Sequence, residues 1–450
     1  MERVPHSEHF ILGGIAMKKK MVSMLLVSVM LGTLLTGCGK EGQKTVKNKE
    51  GEVKLTFGIH VADPKSQEAV TYNIVQAFNE KYEGQYEVEF QAADTESHSK
   101  NIKLQASDNT LPEMFWLDAS EAPEYAEAGC LMDLTEFLQN YKEVDEALDA
   151  SVKAAFKKDI QYGLPYQCNV EGFFYNKEIF EKLGVDVPKN GTTFEELLTL
   201  IDACNQQNIT PVAQGCLNSS YTVWGYLAML ERYGYSEYIQ NILDGKEKFN
   251  NENLIKCFEK LQQLGENKAF VENMATQEYF DAKELFISGK AALFNTGAWD
   301  CAELNEKMGD KVGFWWGPTF SDSDYEQKIA MKVPSAPICI SAEVESNEEV
   351  KEGIYKFLEF YYSKDAAGIS YQGSVFPATN YTEVDVKDDQ YLLKEVLKSV
   401  NEGWESPDVQ PDLRLNSAVQ GQLYDSMFGV LLGNYEPAEA LDKIDQQLDY

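Results

Sequence analysis

Six tryptophans stand among the residues that could do chemistry. Trp116 ends an apolar run and precedes Leu117-Asp118, and Trp299 follows Gly297 and precedes Asp300. Trp224, Trp315, Trp316 and Trp404 lie near turns or loops. A sugar presents apolar C–H faces and a rim of hydroxyls, so an indole beside a carboxylate offers both a stacking surface and an acceptor. A tryptophan equally serves as core filling. Covalent chemistry has less to work with. There is no G-x-S-x-G, G-x-x-x-x-G-K-[ST] or H-E-x-x-H, and no G-x-G-x-x-G follows a strand. A glycosidase-like acid pair can always be drawn from 73 Asp and Glu, but the ordinary role of any one of them is solvated surface. No catalytic residue and no cofactor are expected. Past the N-terminal segment only His60 and His98 remain, so a His-rich zinc site is not available and no metal is expected.

The elements that position these residues alternate in type. Residues 54–59 (KLTFGI) have strand composition, and 86–91 alternate Tyr86, Val88 and Phe90 with acidic residues. Between them Val70, Ile74, Phe78 and Tyr82 fall on one helical face. Residues 114–117 form a short apolar run after Leu111-Pro112, and 162–175 contain a strand-like stretch. Strand, helix and strand at this spacing predict βαβ units and a largely parallel sheet. Thr193 and Glu196 have capping-box spacing, starting a helix that runs to about Cys204. Further helices are expected at 282–288, 349–362 and 438–449. The fold class is α/β.

The N-terminus carries its own signal. Lys18, Lys19 and Lys20 precede an apolar run over 21–35, followed by Thr36, Gly37 and Cys38. A positive flank, a short apolar core and small residues mark a secretory signal over 1–37, with Met17 the expected true start. The ending Leu35-Thr36-Gly37-Cys38 matches a bacterial lipobox, which makes Cys38 the lipidated (palmitate-bearing) first residue of the mature chain. Residues 38–51 then form a polar tether of about 20 Å r.m.s.. Removing 1–37 takes away four basic and two acidic residues, leaving 413 residues near −35. That length favours two lobes. That charge excludes nucleic acid as a partner and a polybasic mode of membrane binding. The remaining cysteines, Cys130, Cys168, Cys204, Cys216, Cys257, Cys301 and Cys339, are unpatterned and are expected mostly as small buried hydrophobes.

Several short motifs in order resemble the extracellular solute-binding proteins of ABC transporters, family 1, which includes maltose-binding protein. They are 108–115 (DNTLPEMF), Tyr162-Gly163-Leu164-Pro165 followed by Phe174-Tyr175-Asn176-Lys177, the segment from Glu178 to Pro188 with the capped 193–197 helix, Phe286 to Leu293 with Gly297-Ala298-Trp299, and 312–318 (VGFWWGP). The resemblance runs from about residue 52 to the end. It implies a two-lobed periplasmic-binding-protein-like fold with a ligand cleft between lobes, 52–165 plus 333–375 forming one and 166–332 plus 376–450 the other. It implies no reaction. A carbohydrate would be captured by hinge closure and passed to ABC permease subunits, by a monomer held on the extracellular face of the cell membrane only through its lipid. Carried over residue by residue, Trp299 is the stacking tryptophan, with Trp116 and Asp118, Asn169, Trp224, His60, Asp63 and Tyr166 around the ligand. Trp404, Asp412 and Arg414 fall in a C-terminal region that closes the pocket in the family, though no motif sets their register. A peptide, polyamine or phosphodiester would suit a cleft of this kind too, and the tryptophans favour sugar. A surface-anchored glycoside hydrolase would show turnover instead, and a module feeding a sensor kinase would differ in its partners.

Overall fold

The computed structural model describes residue 47 and residues 51–148, 150–217, 222–381 and 386–448. The expected signal segment, residues 1–37, and the expected lipidation at Cys38 fall outside the described residues. Ten strands form two five-stranded sheets. The first has β1 (Val53–Ile59), β2 (Tyr86–Ala92), β3 (Met114–Trp116), β4 (Leu164–Pro165) and β10 (Pro337–Ile340), in the order β2-β1-β3-β10-β4. The second has β5 (Cys168–Asn176), β6 (Thr210–Ala213), β7 (Ala291–Gly297), β8 (Val312–Trp315) and β9 (Met331–Pro334). Its order is β6-β7-β5-β8, with β9 also paired to β5.

The expectation of a largely parallel sheet is corrected. β1 pairs parallel with β2 and β3, and β6 with β7, but β10 runs antiparallel to β3 and β4. β5 runs antiparallel to β7, β8 and β9. The reason is the path of the chain. β4 to β5 carries it out of the first sheet and β9 to β10 brings it back alongside, so the returning strands oppose the outgoing ones. A third passage follows helix Lys364–Gln372, where Phe376 bridges Cys168, Ala378 joins the first core and Asn380 N–H donates to Ala147 O at 2.8 Å.

Side-chain alternation distributes the first sheet between two layers. Met114, Ile338 and Ile340 face a core with Phe78 and Phe357, while Phe115 and Cys339 face a second cluster with Ile102 and Tyr162. Helix Ala69–Lys81 buries Ile74 and Phe78 of the expected face, and Thr71 and Val75 beside them. The second sheet sits in a larger core that takes in Trp315, at the end of β8, and Trp316, just after it, both fully buried. Five of the seven described cysteines are buried, and burial pushes the Cys204 thiol up to about 12. Among the described residues no helix is long and apolar enough to cross a membrane.

The capping box forms as its spacing requires. Thr193 Oγ1 accepts from Glu196 N–H at 3.2 Å, and Glu196 Oε2 accepts from Thr193 N–H at 2.7 Å, opening helix Phe194–Gln206. Thr193→Ala should lower the stability of the second sheet's lobe by about 1 kcal/mol. A reduced denaturant midpoint at unchanged slope checks this.

Candidate functional site

Three groups of side chains collect where the chain passes between the sheets. On the first sheet, Trp116 ends β3 opposite Ile338. The His60 ring stacks on its indole at 4.1 Å with planes 22° apart. His98 fixes the same residue from another side, its Nε2 lying 2.8 Å from Trp116 O. Behind His60, Glu68 Oε1 stands 3.9 Å from His60 Nε2. Burial pushes the Glu68 carboxyl up to about 7, and burial, with His98 nearby, pushes the His60 imidazole down to about 3. Near neutral pH the imidazole is therefore uncharged, and the contact is no ion pair. Tyr166 is buried, and its hydroxyl donates to Glu68 Oε2 at 3.0 Å and meets Thr71 Oγ1.

On the second sheet, β7 ends at Gly297 and turns into a short 3-10 helix, Ala298–Asp300. Trp299 folds back over that turn, and a Cβ on Gly297 would lie 2.2 Å from its ring. Trp299 Nε1 donates to Tyr279 Oη at 3.2 Å. That hydroxyl also meets Thr296 Oγ1 and the Asp300 carboxylate, and Lys283 Nζ reaches Asp300 at 3.3 Å. Trp224, at the start of helix Trp224–Arg232, meets Trp299 edge-to-face at 4.8 Å. Asn295 ties that helix down by accepting from Gly225 N–H at 2.8 Å.

The third group is acidic. Asn169 and Glu171 share a face of β5, and Asn169 Nδ2 donates to Glu171 Oε1 at 3.3 Å. Glu171 pairs in register with Gly297, which sets it beside the root of the Trp299 turn. Asp412, in the 3-10 helix Pro411–Arg414, accepts from Tyr424 Oη and from Gln420 Nε2 through Oδ2. Burial, reinforced by Asp412, holds the Glu171 carboxyl well above its usual range. Burial also raises Asp412, and Asp118 from the first sheet adds to that rise. Asp118 accepts from Ser120 N–H and Oγ at 2.9 and 2.6 Å.

Of the residues expected to touch ligand, the structure thus brings Trp116 and His60 together, and Trp299 with Trp224. Three are placed otherwise. Asp63 is exposed, accepts from Ser66 Oγ at 2.6 Å and starts the short helix Pro64–Gln67. The hydroxyl of Tyr166 is already bonded within the first sheet's lobe. Trp404 lines a separate cavity of about 490 Å³ with Gly191, Thr319, Phe320 and Lys328. Burial raises the Glu231 carboxyl, and Arg414 lies close enough to counter part of that rise. Among the described residues no cluster of His, Cys, Asp or Glu could hold a metal ion.

Residues 73–391 match the pattern that defines the bacterial extracellular solute-binding proteins. The chain belongs to that family. This solute-binding protein is 21% identical over 305 residues to a multiple sugar-binding protein of Streptococcus mutans, covering 64% of this chain and 67% of that one. It is 22% identical over 312 residues to a diacetylchitobiose binding protein of Streptomyces coelicolor, covering 67% of this chain and 70% of that one. Among solved structures, one from work on xylan utilization by Caldanaerobius polysaccharolyticus superposes with a TM-score of 0.75 at 21% identity, covering 88% of this chain and 100% of that one. Maltose-bound T. maritima MalE3 superposes at 0.69 with 19% identity, over 88% and 98% of the two chains. These likenesses show the two-lobed fold.

Sequence reasoning missed Glu68, Glu171, Tyr279 and Tyr424 of this solute-binding protein. A period-two signal was present for Glu171, two residues beyond Asn169 on a strand, but one acid among 73 does not stand out. Glu68, Tyr279 and Tyr424 come from helices or their edges far along the chain, and only the packing joins them to the tryptophans. Gly297 has extended backbone at φ −126°, so Gly297→Ala meets no backbone strain, only the indole. It should push Trp299 off Tyr279 and cost about 1–3 kcal/mol. The check is a red-shifted emission that disappears in the double variant with Trp299→Phe.

Proposed function

We propose that this solute-binding protein captures a sugar or oligosaccharide between its lobes by hinge closure and delivers it to ABC permease subunits, with no bond made or broken. The observation that carries the reading is that indoles stand near acceptors at the strand ends beside the crossings: Trp116 at the end of β3 two residues before Asp118, Trp299 with Trp224 after β7, and Asn169 on β5. Flat rings suit the C–H faces of a pyranose, and carboxylate and amide groups suit its hydroxyls. The sugar ligands named for the relatives support the same class. The lobes are 52–165 plus 333–375 and 166–332 plus 376–450. Ligand stabilises the closed pair of lobes and the permease recognises that state. The protein acts as a monomer, anchored on the extracellular face through lipid on Cys38, and the tether keeps it concentrated near its permease.

A thermal-shift screen against mono- and oligosaccharides tests the ligand. At 100 times its dissociation constant a true ligand adds about 2.7 kcal/mol of stability. Trp299→Ala should remove most of the resulting shift; an unchanged shift would place the stacking surface elsewhere. The anchor has its own test. Cys38→Ala should release the protein from the membrane fraction of expressing cells into the medium, and retention in that fraction would refute lipidation at this residue.

A further inference from the structure

Among the described residues five large apolar side chains stand exposed, and two of them, Leu217 and Phe280, belong to one place. Leu217 N–H donates to Gln277 O at 2.9 Å, which lays the loop after β6 against the start of helix Tyr279–Ile287. The first turn of that helix stands at the Trp299 end of β7, where the Tyr279 hydroxyl meets Thr296 and Asp300. From the indoles outward the rings follow one another. Trp224 lies 5.4 Å from Tyr279, and Tyr279 lies 5.3 Å from Phe280, each pair edge-to-face. Tyr279 is buried, whereas Phe280 beside it is 64% exposed.

A single exposed apolar residue is ordinary and calls for no explanation. Phe280 differs because its ring is backed. Lys283 Nζ lies over it, 5.0 Å from the centroid, and is itself fixed by Asp300 at 3.3 Å and Glu303 at 2.6 Å. Asp300 also accepts from the Tyr279 hydroxyl, which in turn accepts from Trp299 Nε1 at 3.2 Å. One carboxylate therefore holds both the partner of the indole and the support behind the outer phenyl. A flat ring held on one face and open on the other suits the C–H face of a sugar while leaving its hydroxyls to water.

We infer that Phe280 is an outer stacking platform continuous with Trp224 and Trp299, and that the solute is an oligosaccharide whose inner unit lies on the indoles while a later unit reaches the phenyl. The inference rests on the sugar reading proposed above and narrows it to chains of more than one unit. Because the platform makes no polar demand, it registers that the chain continues, not which sugar continues it. Its contribution therefore appears with chain length and is absent for a monosaccharide.

Isothermal titration calorimetry of the unaltered protein and of Phe280 variants tests this, with α- and β-linked gluco-oligosaccharides, xylo-oligosaccharides and chito-oligosaccharides as probes, each from the monosaccharide to the tetrasaccharide. In the series that binds, affinity is expected to rise with length, and Phe280→Ala to cancel about tenfold of that rise while leaving the monosaccharide unchanged. Phe280→Trp should keep the rise and Phe280→Leu should lose it, which separates a flat ring from mere apolar area. The side chain is exposed, so these variants fold. A rise with length that persists in Phe280→Ala would overturn the assignment to this ring. A monosaccharide binding as tightly as the tetrasaccharide would overturn the outer platform and leave the sugar reading standing. Loss of monosaccharide binding in Phe280→Ala would place the phenyl in the inner site and overturn its outer role. If no saccharide of any series binds, the sugar reading falls and the platform with it.

Discussion

The structure depends on two strands that leave and re-enter the first sheet side by side. Gln167 and Ser335 bond each other twice, through Ser335 N–H to Gln167 O at 2.9 Å and Gln167 N–H to Ser335 Oγ at 3.1 Å. Tyr166 N–H reaches Ala336 O at 3.0 Å, and the third passage joins them where Cys168 N–H reaches Phe376 O, also at 3.0 Å. These few bonds join the passages to one another. Each lobe's own sheet is complete on its own side, so rotation about these residues leaves both sheets paired. That is the condition for hinge motion in place of unfolding.

Everything that faces ligand in the proposed reading is anchored a short way from that junction. Tyr166 shows how closely the two are tied: its hydroxyl holds Glu68, Glu68 stands behind His60, and His60 lies flat on Trp116. The position of one indole is thus set by a buried polar chain that begins at the hinge. Trp299 is held by a different device, an indole packed where a Cβ at 297 would stand and a hydroxyl from Tyr279 that is itself fixed by Thr296 and Asp300. Each ring is held by contacts within its own lobe, which keeps it in place while the lobes move.

The acidic group is different in kind. Its members come from both lobes and from three chain segments, and part of their bonding capacity is unmet by the chain. Rings can be pre-oriented at little cost because they are apolar on both faces. Buried carboxylates cannot, since desolvation works against their charge until a partner arrives.

Local pattern alone determined a good deal: the helix face of Ile74 and Phe78, the capping box at Thr193 and Glu196, and strands near 54–59 and 86–91, because each depends on neighbours a few residues away. Motif order carried the two-lobed fold. What tertiary structure decided was direction and company. The antiparallel course of β5 follows from the return of β9 some 160 residues later, which no local period encodes. Trp315 and Trp316 differ from Trp299 only in what packs over them, and the same holds for Trp404 in its separate cavity. Asp63 and Glu171 are both acids near strands, yet one caps an exposed turn and the other is buried beside Asp412. Burial and partnership give a carboxylate its role, and both are properties of the assembled chain.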